Sequence, residues 1–354
     1  MATILCVERF LPPYRYDQEE VARWVRAWLE ENGNGSTRLL SVYESAGVRS
    51  RASVVPIEQV FFPGDFETQN DRYREAVCAA GVDLARRALR SSGLEPRDVD
   101  CIVSVSCTGF MIPALDAHVA DALGLGPRLT RLPITESGCA GGVVALARTA
   151  DYLTAHPNAV ALVIALELSS LTFQRWDRSS ANVVSTAIFG DGGAALVLVG
   201  PRHPAASRGL ARVQDAESRF FPGTTHLMGF QLRNQGLQIL LDRSLAPFVR
   251  RELVPAVSAF LAPRGLSRGD IQRWILHPGG RRIIEAMGEE LKLEPKDLAP
   301  TEKVLSEHGN MSSVTVLFVL DEILRCDRPA PGARGVLGAF GPGFCAEFAL
   351  LEFR

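Results

Sequence analysis

Apolar positions fall into two alternating rhythms along the chain. From Asn70 to Leu89 they recur at helical spacing, with Tyr73, Val77, Ala80, Leu84 and Ala88 on one face, and predict a long helix. Val99 to Val105 is a short apolar run and predicts a strand, and Ala114 to Leu123 returns to the helical spacing. Cys139 to Leu153 is made of small apolar residues and predicts a buried helix. Ala159 to Leu166 and Ala194 to Val199 are apolar throughout, as expected of strands in a sheet covered on both faces. Strands and helices in alternation predict the α/β class. Gly200 to Gly209, rich in Gly, Pro and Ser, marks a boundary or crossover loop.

Beyond that break the order of elements repeats. Val99 to Val105, Cys107-Thr-Gly109 and a helix in the first half correspond to Arg273 to Leu276, His277-Pro-Gly-Gly280 and the helix Arg281 to Leu291 in the second. The turn Glu136-Ser-Gly-Cys139 into a helix corresponds to Glu307-His-Gly-Asn310 before the apolar segment Met311 to Leu324. Each half then has a late strand, Ala159 to Leu166 or Gly335 to Phe340. The identities do not repeat but the order does, which predicts a duplicated architecture with halves spanning 1–205 and 206–354.

The length of 354 residues exceeds what one core usually serves and agrees with two halves. With 47% hydrophobic and 22% charged residues the chain reads as globular rather than disordered. A formal net charge of −2 gives no support to nucleic-acid binding. No apolar run approaches the roughly 18 residues of a membrane span, the longest, Ala159 to Leu171, being interrupted by Glu167. The seven cysteines form no C-x-x-C pair, so neither a zinc site nor a dithiol redox site is indicated. Free thiols and an N-terminus unlike a signal peptide lead to the expectation of a cytoplasmic protein.

Three residues in glycine-rich settings stand out as chemistry. Cys139 sits at a predicted strand-to-helix turn, where the positive helix end and free N–H groups favour thiolate; the alternative is a buried structural cysteine. His277 ends an apolar strand before a glycine turn, the place where α/β proteins bind ligands, and could pair with a thiolate or polarise a carbonyl. Asn310 could donate to an enolate or oxyanion, or simply cap a helix. His308 is a local rival to His277 whose neighbours favour a turn. Phe189 precedes Gly190-Asp191-Gly192, read as a tight turn, and is either core or a wall beside the nucleophile. Glu136, Glu167 and Asp191 show no pairing that spacing would dictate, and no P-loop, G-x-S-x-G or H-E-x-x-H motif occurs.

Taken together, the sequence resembles the Cys-His-Asn condensing enzymes of the thiolase fold, and most of all the type III polyketide synthases of the chalcone synthase superfamily. The resemblance covers almost the whole chain. It rests on Cys107-Thr-Gly-Phe-Met-Ile-Pro113, the Cys139 turn, Glu167-Leu-Ser-Ser-Leu-Thr-Phe173, Phe189-Gly-Asp-Gly192, His277-Pro-Gly-Gly280, Gly309-Asn-Met-Ser-Ser313 and Phe340-Gly-Pro-Gly343, in the family's order. It implies a five-layered αβαβα thiolase fold, a homodimer reached across by Ile112, and coenzyme A thioesters as substrates with no metal or other cofactor. Cys139 would take an acyl starter from an acyl-CoA; His277 would keep it as thiolate, then join Asn310 in decarboxylating malonyl-CoA. The resemblance further implies substrate contacts at Phe189, as gatekeeper, and at Cys107, Thr108, Ser169, Thr172, Ile239, Ser312 and Phe340. Coenzyme A contacts would fall at Arg38, Gly279 and Arg282, although the basic cluster of plant enzymes is not evident and Arg49 and Arg51 are nearby candidates.

Finer features divide. Ser170-Leu-Thr-Phe-Gln174 followed by Asp177-Arg-Ser-Ser-Ala-Asn182, and Met228-Gly-Phe230, resemble bacterial alkylpyrone and alkylresorcinol synthases, which take fatty acyl starters. Ser106-Cys-Thr-Gly-Phe110 resembles tetrahydroxynaphthalene synthases, which use malonyl-CoA alone. Two segments against one lead to the expectation of a fatty acyl starter. A ketoacyl synthase III is disfavoured by His277-Pro-Gly-Gly280.

Overall fold

The computed structural model describes residues 1–31 and 37–354, without the side chains of Thr37 and Arg38. Among the described residues, nine strands form one mixed sheet. From edge to edge they are Arg273–Leu276, Arg334–Gly341, Cys345–Phe353, Ala211–Phe220, Ala2–Phe10, Asp191–Val199, Val160–Leu168, Cys101–Val105 and Thr130–Ile134. A short seam divides it, because Ala2–Ile4 pairs with Ala211–Val213 over only three residues.

Outward from the seam both halves run alike. The first strand pairs antiparallel with the second, the second antiparallel with the third, and the third parallel with the fourth. The first half adds a fifth, parallel strand, Thr130–Ile134. The repeat read from the order of elements is therefore a repeat of strand pairing. By this match, the strand that leads to Cys107 is the counterpart of the strand that leads to His277.

Side chains alternate across each half-sheet with the two-residue period of a strand. Val103 and Val163 point inward, and Ile102, Leu162 and Ile164 outward. Between the half-sheets lie the helices Gly141–Ala155 and Thr315–Glu322, whose Leu146, Leu153, Phe318 and Leu320 pack on Val163 of one half and Leu337 of the other. Helices that are mostly apolar are buried in this way, with the polar Arg148 and Asp151 of the first left exposed. The helix Phe66–Ser92 covers the outer face of the first half through Tyr73, Val77 and Leu84. The helices Leu245–Leu261, Arg281–Leu291 and Pro295–His308 cover the second through Phe260, Met287 and Leu305. The result is five layers, helix, sheet, helix, sheet, helix. Val25, Trp28 and Phe61, although early in the chain, join the outer cluster of the second half.

One local expectation changes. Asp191-Gly192 is not a tight turn but the start of the strand Asp191–Val199. The Asp191 carboxylate accepts from Val54 N–H (2.8 Å), Ser170 N–H (2.7 Å) and Ser170 Oγ (2.5 Å), so it ties three segments together. A hairpin of Met228–Arg233 and Gly236–Leu241 stands apart from the main sheet. Its register is set by its own pairing, which the alternation of apolar residues alone does not reveal.

Candidate active site

Cys139 lies in a 3₁₀ turn, Gly138–Ala140, that leads into the helix Gly141–Ala155. Gly138 has a φ of +47°, and a Cβ there would stand 2.7 Å from the Pro342 ring. A Cβ on Gly341 would stand 2.5 Å from that of Ala140. The glycines of both loops thus let the Phe340-Gly-Pro-Gly343 segment close onto the cysteine turn. The helix end alone would lower the thiol pKa. Instead burial dominates and pushes Cys139 up to about 11, with hydrogen bonds from the Ser312 and Asn310 side chains acting the other way.

Asn310 follows the helix Pro295–His308 and the left-handed residue Gly309, with φ +71°. Its backbone bridges the end of the helix Ser180–Ile188: Asn310 N–H donates to Ile188 O (2.8 Å), and Gly190 N–H donates to Asn310 O (3.0 Å). Its Oδ1 accepts from Ser312 N–H (2.8 Å) and Thr315 Oγ1 (3.2 Å). Those two donors fix the orientation of the amide. The Nδ2 group is left facing Cys139 Sγ at 3.9 Å and the Gly279 carbonyl at 3.4 Å. Asn310 is not the helix cap, a place taken by Met311, but its Oδ1 accepts at the start of that turn and its Nδ2 faces the sulfur.

His277 is held by its backbone, donating to Gly338 O (2.9 Å) and accepting from Gly279 N–H (3.1 Å). Neither ring nitrogen has a hydrogen-bond partner among the described residues, although both are buried. Burial lowers its pKa to about 3. The imidazole is thus neutral near pH 7, with one nitrogen able to donate and the other to accept. The glycine turn after it meets Asn310, and Asn310 meets Cys139, so the segments that carry the three predicted residues are adjacent, while the His277 ring makes no hydrogen bond to either of the other two. His308 does not join them; its ring packs edge-on against Phe318 at 5.3 Å.

A cavity of about 490 Å³ opens from Cys139. Of the expected substrate contacts, Cys107, Thr108, Ser169, Thr172, Phe189, Ile239 and Ser312 line it. Phe340 does not line it. Its ring is turned into the outer cluster of the second half and stacks on Phe344 at 5.6 Å, and Pro342 and Gly343 form the wall instead. The expected coenzyme A contacts are dispersed. Gly279 touches Asn310, Arg282 is exposed on the first turn of its helix, and the side chain of Arg38 lies outside the described residues. Arg49 is exposed, 3.7 Å from Glu307. Arg51 is buried and, although it lines the cavity, its guanidinium is turned to the backbone carbonyls of Thr186, Ala187 and Phe189.

Glu167 is the residue that spacing does not reveal. It is fully buried at the end of the strand Val160–Leu168 and gathers Cys107 N–H (3.0 Å), Thr108 Oγ1 (3.0 Å) and Ser313 Oγ (2.6 Å). Burial raises its pKa despite those donors. Its interruption of the long apolar run is the available signal, since a carboxyl inside a covered sheet needs partners. Ser312, at φ +48°, is one of few non-glycine residues with a left-handed backbone, and its Oγ is 3.5 Å from Cys107 Sγ. Such strain is often found at sites of function. No group of His, Cys, Asp and Glu among the described residues is arranged to hold a metal ion. None of their helices is long and apolar enough to cross a membrane.

Comparison with known proteins gives this arrangement a context. Residues 63–202 match the N-terminal domain of chalcone and stilbene synthases, and residues 212–353 their C-terminal domain. The chain is 38% identical to the 1,3,6,8-tetrahydroxynaphthalene synthase of Streptomyces peucetius, over 99% of this chain and 93% of that one. It is 31% identical to the alpha-pyrone synthesis polyketide synthase-like Pks18 of Mycobacterium tuberculosis, over 89% of this chain and 82% of the relative. Among solved structures, the tetrahydroxynaphthalene synthase of Streptomyces coelicolor superposes with a TM-score of 0.93 at 31% identity, covering 99% of both chains.

Proposed function

Since the chain belongs to the chalcone and stilbene synthase family, that of the type III polyketide synthases, we propose that it extends a long-chain acyl-CoA starter with malonyl-CoA and closes the product to an alkylpyrone or alkylresorcinol. The family's enzymes are decarboxylating acyltransferases that act on coenzyme A thioesters and need no other cofactor. What carries the choice of starter is the chemistry of the cavity wall. The hairpin contributes Met228, Phe230, Leu232, Leu237, Ile239 and Leu241, and no polar side chain. An alkyl tail gains about 0.8 kcal/mol for each methylene buried on such a wall. A chain built from malonyl units alone carries a carbonyl at every second carbon, for which this wall has no side-chain donor. Polar side chains, among them Thr108, Thr172, Asn182, Ser185, Thr186 and Ser312, line other parts of the same cavity.

In this reading Cys139 sulfur attacks the starter thioester carbonyl. Its proton passes to the acceptor nitrogen of His277 and on to the departing coenzyme A thiolate. Malonyl-CoA then loses carbon dioxide. The electron pair of the broken bond moves onto the thioester oxygen as an enolate, which accepts hydrogen bonds from the His277 ring N–H and Asn310 Nδ2. Neutral donors aimed at that oxygen lower the barrier without acidifying the site. The enolate carbon attacks the Cys139 acyl carbon, and the sulfur leaves as thiolate, giving a β-ketoacyl-CoA ready to reload. Phe189 acts as the gate between the coenzyme A entrance and the cavity, with Gly279, Arg282 and Arg38 along the entrance. We take the protein to be a cytoplasmic homodimer of chains with halves 1–205 and 206–354. Support for pairing comes from Ile112, fully exposed beside exposed Phe110, and from the exposed edge strand Thr130–Ile134.

A second reading, a tetrahydroxynaphthalene-type synthase, is favoured by Cys107 in the cavity wall and by the names of two of the relatives above. Mass spectrometry of products from the purified enzyme, malonyl-CoA and a panel of acyl-CoA starters separates the two, with Cys139→Ala as control. Products that require a long acyl starter bear out the first reading. A naphthalene product from malonyl-CoA alone replaces it with the second.

A further inference from the structure

Arg51 is a buried cation without an anion. It is 6% exposed, and no carboxylate pairs with it among the described residues. Its guanidinium instead donates to three carbonyls at one helix end: Nη1 to Thr186 O (2.5 Å) and Phe189 O (3.0 Å), and Nη2 to Ala187 O (3.0 Å). These belong to the last turn of the helix Ser180–Ile188 and the residue after it. The C-terminal end of a helix carries unpaired carbonyls and partial negative charge, which a planar guanidinium can satisfy several at a time. Burial without a counter-ion pulls the Arg51 pKa down to about 10, so it stays charged near neutrality.

That helix end is what holds Asn310. Ile188 O and Gly190 N–H, either side of the Phe189 carbonyl that Arg51 grips, are the two backbone partners of Asn310. The strand Ser50–Ser53 that carries Arg51 also fastens the other element leading to Asn310. Arg49 N–H donates to Ser306 O (2.7 Å) and Ser50 Oγ to Glu307 O (3.0 Å), in the last turn of the helix Pro295–His308. A Cβ on Gly190 would meet His308 O at 2.4 Å and Arg51 Cβ at 3.0 Å, so the three segments are in close contact. From these contacts we infer that Arg51 is a positioning residue for Asn310: by clamping the helix end at 186–189 it fixes where the Asn310 amide meets the developing enolate. It touches no reacting atom. Its loss acts chiefly on decarboxylation, which uses that amide directly, and less on acyl loading of Cys139, to which the amide contributes only its 3.9 Å contact with the sulfur.

This inference rests on the role proposed above for Asn310, and the test keeps the two apart. Carbon dioxide release from malonyl-CoA and the rate of Cys139 acylation by an acyl-CoA, read by intact-protein mass, are measured for wild type, Asn310→Ala, Arg51→Gln and Arg51→Lys. The expected result is a more than tenfold fall in carbon dioxide release for Arg51→Gln, with a several-fold smaller fall in acylation. Arg51→Lys, which retains charge but loses the fork, recovers part of the release. Circular dichroism establishes folding, and Arg51→Lys carries the test alone if Arg51→Gln does not fold. Equal losses in both reactions, or an unchanged release in folded variants while Asn310→Ala loses it, overturns the positioning role. An unchanged release in Asn310→Ala overturns the underlying reading instead.

Discussion

Cys107 Sγ lies 3.5 Å from both carboxylate oxygens of Glu167, so a cavity thiol rests against a carboxyl group sealed inside the sheet. Burial foremost, and then the negative charge of Glu167, pushes the Cys107 pKa well above that of a free thiol. The same carboxylate also raises that of Cys139, while Ser312 acts against it.

Glu167→Gln and Ser312→Ala should therefore move Cys139 reactivity in opposite directions. At pH 8, iodoacetamide alkylation of Cys139 is expected to quicken several-fold in Glu167→Gln and to slow several-fold in Ser312→Ala, because the thiolate fraction follows the pKa. Peptide mass spectrometry reads both rates. Changes of the same sign would show that burial, rather than these two neighbours, controls the sulfur.

In the unliganded wild type, with Cys139 at about 11, the thiolate is a small minority at neutral pH. Its alkylation rate should climb about tenfold per pH unit from pH 7 to 10. A plateau below pH 8 would instead reveal a thiolate–imidazolium pair with His277.

His277 makes stability depend on pH. Its folded pKa of about 3 lies below the 6.5 of an unperturbed histidine. Between these values the unfolded chain binds a proton that the folded chain refuses. The stabilisation is complete above pH 6.5 and is lost as pH falls toward 3, by up to about 1.4 kcal/mol per pH unit. Asp191, raised to about 6, works in the opposite sense but is common to both proteins compared. Urea unfolding at pH 7, 5.5 and 4.5 should show a steeper decline for wild type than for His277→Gln, and parallel declines would contradict it.

Where the central helix starts, a Cβ on Gly142 would lie 2.3 Å from Ser313 O, a backbone atom that cannot swing aside. Gly142→Ala is expected to destabilise by about 1–3 kcal/mol through overpacking. Gly126, with nothing within 4 Å of its Cβ position, should accept alanine with a change of roughly 0.5 kcal/mol or less. Chemical denaturation of the two variants compares them directly; similar midpoints would mean that the Ser313 segment yields.

The alternation of helices and strands, and the repeat that links Cys139 to Asn310 and Cys107 to His277, can be read from apolar runs and glycine turns. Such features leave local marks in a sequence. Phe340 departs from its expected place because a strand's two faces differ by one residue, and only the packing of Phe344 against it decides which face meets the cavity. The contacts of Arg51 and Glu167 are not legible for a different reason. Their partners lie more than a hundred residues away for Arg51, at 186–189, and as far as Ser313 for Glu167. No spacing rule encodes such contacts. The thiol pKa differs from expectation because the helix end is a local feature, whereas the burial that outweighs it comes from both halves of the molecule.

The narrow seam at Ala2–Ile4 and Ala211–Val213 has a mechanical consequence. The sulfur is mounted on one half and the imidazole and amide on the other, so the reaction centre works as a vernier for their alignment. A slide of one ångström between the halves would change the 3.9 Å gap from Asn310 to Cys139 by a comparable amount while leaving every strand within each half intact. The inner helices, packed on both half-sheets at once, hold that alignment, so under rising urea condensation should fade together with the helical signal.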